Sequence, residues 1–372
     1  MSQPVAIKIP LMDLKAQTKG IKAELLEQFS QILDNTAFCL GPQVEAFEKE
    51  FAAYSGAAHG VGANSGTSAL HLALLALGVQ PGDDVLTTPY TFVATAWSIS
   101  YCGAKPVFAD INPQTFLIDP ADVERKLTPK TKAIVAVHLY GQPVDIEALK
   151  DIAKKKGLPF VEDACQAHGA LYKGKKVGSW GDIACFSFYP SKNLGACGEA
   201  GMAVTQDGTL AAKMRALREH GTTRRYYHDT LGFNYRMEGL QGAALRVKLK
   251  HLDNWNARRQ QIAAKYQQLL EPSVVKRPVV APDRTHVYHL YVVRHPKRDQ
   301  LAAYLAEKGI GTATHYPVPV HLQKAYANLK LREGMYPHSE AAARECLSLP
   351  IYPELTDEQV QTVADAVVGW KP

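Results

Sequence analysis

Two short stretches of the sequence decide the fold: residues 160–169 read FVEDACQAHG, and residues 186–195 read FSFYPSKNLG. Each begins as an apolar run that predicts a buried strand and ends in polar residues. Because ligands of open α/β sheets bind beyond the carboxyl ends of the strands, Asp163 and Lys192 are candidate site residues. Alone, Asp163 would be interpreted as a helix cap and Lys192 as a surface lysine. Together, each at the end of a core strand, they favour a common site.

An acid and a lysine at one site are the pair that pyridoxal phosphate (PLP) chemistry needs. Asp163 would keep the pyridine nitrogen protonated, and Lys192 would form a Schiff base with the aldehyde and later move a proton. That proton transfer requires a partly desolvated lysine. Residues 64–70, NSGTSAL, begin a strong helix whose N–H groups suit a phosphate. Gly66, Thr67 and the Ser187 hydroxyl are its candidate ligands, although Ser and Thr are also ordinary N-caps.

Around these stretches, short apolar runs alternate with helical patterns. Strands are predicted at 84–88, 105–109, 133–138, 159–162, 183–188 and 202–205, and helices at 24–39, 44–54, 65–77, 90–101, 146–156 and 210–219. Near-continuously apolar strands between helices indicate an α/β fold with a mostly parallel central sheet that is covered on both faces.

The remainder of the chain predicts a smaller C-terminal α/β domain. A long helical pattern runs from about residue 245 to 270 and ends before Pro272. A strand at 287–293 and helices at 300–308 and 339–346 follow. We therefore expect a large domain at residues 1–250, with an N-terminal helical segment, and a small domain at 251–372.

The composition excludes several classes of protein. The chain has 372 residues, 46% hydrophobic and 21% charged, with a formal net charge of +6. This is a globular composition without basic runs, so we expect an anionic small-molecule substrate and no nucleic acid. The sequence shows no signal peptide and no long apolar segment, which predicts a cytoplasmic protein without membrane contact. Six scattered cysteines predict free thiols and no metal site.

The sequence resembles the DegT-type nucleotide-sugar aminotransferases, which belong to the fold-type I PLP-dependent transferases. The matching stretches cover nearly the whole chain: residues 64–70, 89–94, 162–169, 187–201, 232–244 and 315–323. The resemblance implies that Lys192 and Asp163 are catalytic and that both bind the cofactor. It assigns the other cofactor contacts to Gly66, Thr67 and Ser187 (phosphate), Phe92 (ring stacking) and Gln166 (phenolic oxygen). An aromatic residue in the core is the alternative interpretation of Phe92.

The resemblance also implies a homodimer with shared active sites. Asn234 would reach the phosphate of the neighbouring subunit's cofactor. The residues expected to contact the substrate are His315, Tyr316, His321 and Arg236. Arg224 and Arg225 are further candidates for the diphosphate, with a solvated charge run as the alternative.

The implied reaction takes an amino group from L-glutamate, passes through pyridoxamine phosphate (PMP), and aminates a keto group of a nucleotide-linked deoxyhexose. Residues 234–241 and 315–323 most resemble the members that aminate carbon 3. A 4-keto sugar nucleotide, a cyclitol, or a non-catalytic regulatory role on the same scaffold are the alternatives. The chain reads GEAG at 198–201 where many members read GEGG, so a methyl group is added at Ala200. Cys197 is interpreted as a plain buried thiol, with oxidation near the site as the alternative.

Overall fold

The computed structural model describes residues 6–372, and a seven-stranded sheet lies at its centre. In chain order the strands are β1 (His59–Ala63), β2 (Asp84–Thr87), β3 (Lys105–Phe108), β4 (Thr131–Val137), β5 (Phe160–Asp163), β6 (Ile183–Ser187) and β7 (Gly201–Thr205). Their spatial order is β1-β7-β6-β5-β4-β2-β3. β7 is antiparallel to both neighbours, whereas the pairs from β6 to β3 are parallel. The predicted mostly parallel sheet is confirmed.

Helices lie on both faces of the sheet and in the C-terminal part of the chain. They are α1 (Leu14–Asn35), α2 (Pro42–Ser55), α3 (Gly66–Ala76), α4 (Ala94–Tyr101), α5 (Pro120–Lys126), α6 (Ile146–Lys156), α7 (Gly208–Arg218), α8 (Gly239–Leu249), α9 (Leu252–Leu269), α10 (Arg298–Glu307), α11 (Pro337–Glu345) and α12 (Asp357–Gly369). Within the described residues, no helix is both long and apolar enough to cross a membrane.

Alternate residues of strands β2, β4, β5, β6 and β7 enter two apolar clusters on opposite faces of the sheet. In β4, Ile134 and Ala136 belong to one cluster, while Ala133 and Val135 belong to the other. The first face is covered by α2, α5, α6 and α8, and the second by α3, α4 and α7. Because side chains alternate along a strand, this arrangement also fixes which face each polar residue at a strand end meets.

A second, smaller assembly follows the sheet. Strands β8 (Tyr291–Arg294) and β9 (Cys346–Leu349) pair antiparallel. Together with α9, α10 and α12 they form another apolar cluster, which Ile9 joins from the N-terminal segment. The predicted division at residue 250 stays a prediction, and residues 1–5 of the predicted first domain lie outside the described part.

Some elements differ from their predicted form. The helical pattern at 245–270 forms two helices, because the helical conformation is interrupted between Leu249 and Leu252. The predicted helix at 90–101 begins at Ala94, which leaves residues 90–93 as a loop. The strand predicted at 287–293 is confined to Tyr291–Arg294, and β1 and β9 have no predicted counterpart.

Candidate active site

A cavity of about 480 Å³ opens beyond the carboxyl ends of β4, β5 and β6. Asp163, at the end of β5, is one of its lining residues and is only 4% exposed. Its Oδ2 accepts a hydrogen bond from Thr95 Oγ1 at 2.7 Å, and its Oδ1 accepts from the Cys165 N–H at 3.3 Å. Because the Thr95 hydroxyl donates its only proton to Asp163, it must accept from the Thr91 hydroxyl, which lies 2.9 Å away. The carboxylate is thus fixed, with acceptor capacity left toward the cavity.

Lys192 lies in the same cavity on the loop that follows β6. Burial lowers the pKa of its amine, against the opposing effect of Cys165 and Asp163. The predicted pair is therefore brought together, and the lysine has the partly desolvated amine that proton transfer requires.

Buried hydrogen bonds hold the loop that carries Lys192. The Asn193 amide donates to Asn256 Oδ1 at 2.8 Å and to the Val287 carbonyl at 2.9 Å. The Lys248 ammonium donates to the Gly195 carbonyl at 2.7 Å. Asn256 also donates to the carbonyl of His168 at 2.8 Å, so one α9 residue ties the Lys192 loop to the segment after Asp163.

The start of α3 forms an anion-binding cradle. Ser65 caps the helix by accepting from the Ser68 N–H at 3.0 Å, and Gly66 and Thr67 line the cavity at the first turn. A Cβ added to Gly66 would lie 2.6 Å from Cβ of Ser187, so this close approach requires glycine. The free N–H groups of the turn and the Ser187 hydroxyl point to a phosphate site.

Aromatic and amide side chains form the remaining walls. Phe92 is 52% exposed, and its ring centroid lies 5.7 Å from that of Tyr316. The exposed ring can therefore stack on a ligand. Gln166 accepts from the Tyr140 N–H at 2.7 Å and donates to Tyr316 Oη at 3.1 Å. His315 lines the cavity beside them, and Tyr90 donates to its carbonyl at 3.1 Å.

Three predicted site residues lie outside the cavity of their own chain. His321 is buried 3.2 Å from Glu340, and Arg236 donates to Cys39 Sγ at 3.3 Å. Asn234 is exposed beside Asn64. The side chains of Arg224 and Arg225 stack near Tyr227 and Tyr226 on an exposed hairpin. Roles of these five residues in binding stay predictions.

The cavity also contains residues that the sequence did not single out, namely Thr91, Thr95, Cys165, Glu199 and His289. Only the spacing of Thr91 and Thr95 after a predicted strand end could have marked any of them. Ala200, at the GEAG departure, is fully buried, and its carbonyl accepts from the Phe188 N–H at 2.8 Å. The added methyl group therefore lies in the core. Cys197 in the same segment is exposed, so its interpretation as a buried thiol is wrong.

The histidines of the cavity are neutral. Burial, assisted by the charge of Lys192, lowers the pKa of His315 to about 4. The same two causes, with Arg259, place the pKa of His289 well below its usual value. Lys192 is the only lysine or arginine among the described lining residues.

The donor set fits PLP. A fixed carboxylate, a desolvated lysine, a glycine-lined helix start and an exposed aromatic ring match its pyridine nitrogen, aldehyde, phosphate and ring face. Within the described residues, no group of three or more His, Cys, Asp or Glu side chains is arranged to hold a metal.

The chain belongs to the DegT/DnrJ/EryC1/StrS aminotransferase family, which residues 19–368 match. It is an aminotransferase, and its recognition from the sequence is confirmed.

Two similar proteins carry different descriptions. The dTDP-3-amino-3,4,6-trideoxy-alpha-D-glucose transaminase of Streptomyces venezuelae is 46% identical over 98% of this chain and 96% of its own. A protein of Geobacillus stearothermophilus that is described as a pleiotropic regulatory protein is 50% identical over 97% of this chain and 98% of its own. Among solved structures, NtdA of Bacillus subtilis with bound cofactor PMP matches with a TM-score of 0.91 and 32% identity, over 99% of this chain and 86% of that one.

Proposed function

We propose that this aminotransferase uses PLP to move an amino group from L-glutamate to the carbon-3 keto group of a nucleotide-linked deoxyhexose. The observation that carries the reaction type is the joint placement of Asp163 and Lys192 in one cavity beside the cradle at Gly66. The substrate class rests on the Streptomyces venezuelae relative, whose name specifies a 3-amino sugar on dTDP.

The chain's own residues have separable roles in this reaction. When bound, PLP supplies the electron sink that makes the carbon–nitrogen rearrangement possible. Asp163, fixed by Thr95, would hold a proton at the pyridine nitrogen. Lys192 would bind the aldehyde and, as a free amine, would move the proton of the transfer. Phe92 lines the cavity and would stack on the ring.

A regulatory role is the second candidate, because a relative of 50% identity carries a regulatory description. The chain retains the lysine, the acid and the serine of the site together, and a purely regulatory protein has no need of that set.

Absorbance spectroscopy tests the reaction. We expect PLP-loaded protein to show a visible absorbance band that L-glutamate bleaches. A 3-keto sugar nucleotide should then restore the band faster than its 4-keto isomer or a keto-cyclitol. A band that no amino acid bleaches would contradict transamination and favour the regulatory role.

We further propose a homodimer in which Asn234 of one protomer contacts the cofactor phosphate of the other. Its support is the exposure of Asn234 outside its own cavity. If the sites are shared, mixing Lys192→Ala and Asn234→Ala proteins restores one intact site in each mixed dimer, or about a quarter of wild-type activity. A monomer with full activity would contradict this arrangement.

The exposed hairpin of Thr222–Arg224 and Tyr227–His228 is a proposed site for the diphosphate, through Arg224 and Arg225. The proposed contacts for the rest of the sugar nucleotide are Arg236, His315, Tyr316 and His321.

The six free cysteines fit a reducing compartment, which supports the cytoplasm as the proposed location.

A further inference from the structure

The cavity contains no arginine among its described lining residues, although every α-amino acid brings a carboxylate to it. Lys192 is the amine that the proposed reaction itself uses, so it is not free to bind this carboxylate. Binding that carboxylate therefore depends on neutral donors or on residues from elsewhere. This inference rests on the proposed function, because it concerns the amino donor of the proposed reaction.

Among the described residues that line the cavity, His289 alone has a buried side-chain polar atom without a hydrogen-bond partner. It lines the cavity with Lys192 and is 6% exposed. Its Nδ1 is buried without a hydrogen-bond partner among residues 6–372. Its backbone is held in place because the flanking Val287 N–H donates to the Gly141 carbonyl at 2.9 Å. A neutral imidazole carries one N–H, and no group of the described residues accepts it at Nδ1, so that N–H remains available to a ligand in the cavity.

We propose that His289 is a substrate-binding residue that donates an imidazole N–H to the α-carboxylate of the amino donor. This carboxylate is attached to the same carbon as the transferred amine, so it must lie close to Lys192 when the reaction takes place. His289 and Lys192 line the same cavity, and the charge of Lys192 adds to burial in lowering the pKa of the imidazole. The neighbouring Tyr316 assists, because its Oη accepts from Gln166 and its own proton remains free.

A neutral donor also suits the second substrate. The same cavity must next admit a ketone whose reacting carbon is bonded to two ring carbons, which carry hydrogen or hydroxyl groups, and not to a carboxylate. A buried arginine would then be left as an uncompensated charge, which costs far more than an unpaired imidazole. The imidazole can instead donate to a hydroxyl oxygen.

The test compares His289→Leu, which removes the donor at similar volume, with His289→Asn, which keeps an N–H. His168→Leu is the matched control, because His168 is another buried histidine that feels the charge of Lys192 but lies outside the cavity lining. Two measurements are made on PLP-loaded protein: calorimetric binding of glutarate, which cannot react, and the L-glutamate concentration for half-maximal bleaching. The third measurement is the rate at which PMP-loaded protein reacts with the keto sugar nucleotide.

We expect His289→Leu to weaken glutarate binding and raise the half-maximal L-glutamate concentration by about 10- to 100-fold, the range for a hydrogen bond to a charged group. His289→Asn should recover much of this loss, His168→Leu should show none, and the sugar half-reaction should change far less. Equal glutarate binding by wild type and His289→Leu, or equal slowing of both half-reactions, overturns the proposal. If wild type aminates no keto sugar nucleotide, the proposed function fails, while the glutarate comparison still decides the role of His289.

Discussion

Glu162 and Asp163 are adjacent carboxylates at the end of β5, yet they lie in opposite environments. Glu162 faces the sheet surface covered by α6 and is fully buried. It accepts from His138 Nε2 at 3.0 Å and from the N–H groups of Gly178, Trp180 and Gly181. Asp163 faces α4 on the other side, where it accepts from Thr95 and from the backbone of Cys165.

The difference lies in how much acceptor capacity each carboxylate retains. Burial alone would raise the pKa of Glu162, but His138 and the backbone donors hold it below its usual value. Its four contacts fill the lone-pair positions of a carboxylate, so it has nothing to offer a ligand. Asp163 has two contacts and borders the cavity. Alternation along one strand thus separates a carboxylate that is fully hydrogen-bonded within the protein from one that borders the cavity and is proposed to act in the reaction.

The largest expected effect is on the cavity side. Lys192→Ala should reduce transamination by at least about 10⁴-fold, because the group that binds the aldehyde and moves the proton is lost. The folded protein should persist, since the anchors of this loop are Asn193 and Gly195. Single-turnover kinetics and circular dichroism check this. Substantial turnover by the variant would refute the assignment.

Asp163→Asn should keep the fold and slow the reaction by about 10²- to 10³-fold, because a neutral amide cannot hold the ring nitrogen protonated. Thr95 can still donate to the amide oxygen, so the free energy of unfolding should change little. Steady-state kinetics and urea unfolding are measured on the same preparation. A large loss of stability with normal kcat would place Asp163 with Glu162 as a structural residue.

Glu162→Gln should show the opposite pattern. The amide NH₂ would face N–H donors from His138 or the backbone, so we expect the free energy of unfolding to fall by about 3 kcal/mol. Because the pKa of Glu162 is lowered in the folded protein, its stabilisation is present above its ordinary pKa of 4.5 and is lost as pH falls below it. The free energy of unfolding is measured with urea at pH 7 and at pH 4. The difference between wild type and variant should be smaller at pH 4 than at pH 7.

The sequence predicted the cavity side of this comparison, because strand patterns reveal where strands end. Apolar runs ending in polar residues located Asp163 and Lys192, because strand ends meet at one edge of a parallel sheet. The same logic failed for β1, which reads HGVGA. Glycine is depleted in strands, but a Cβ at Gly60 would lie 2.5 Å from the Glu48 carbonyl oxygen, so close packing requires glycine there.

Residues that reach the site from distant segments were less predictable. His289 lines the cavity with Lys192 because the chain turns back toward the cavity after α9. No local sequence pattern indicates that return. Conversely, His321 belongs to a stretch that resembles substrate-binding segments, yet its side chain is directed to Glu340. The direction of such a side chain is set by tertiary packing and not by its neighbours in sequence.

The smallest expected effect concerns His168, which lies on the Glu162 side among Phe51, Phe186 and Phe188. Neither ring nitrogen has a hydrogen-bond partner among residues 6–372, and burial lowers its pKa to about 3. His168→Leu should therefore stabilise the protein by about 1 kcal/mol at pH 7.

The pH dependence of that variant separates it from ordinary core changes. Between the usual histidine pKa of 6.5 and the folded value of about 3, the unfolded state binds the extra proton, so wild-type stability falls as pH falls. Removing this one site should make the decline shallower by about 1.4 kcal/mol per pH unit. Urea unfolding from pH 7 to pH 4.5 checks this. An unchanged slope would mean that His168 is already protonated or hydrogen-bonded in the folded protein. The Glu162 side of the sheet would then be more polar around His168 than its contacts indicate.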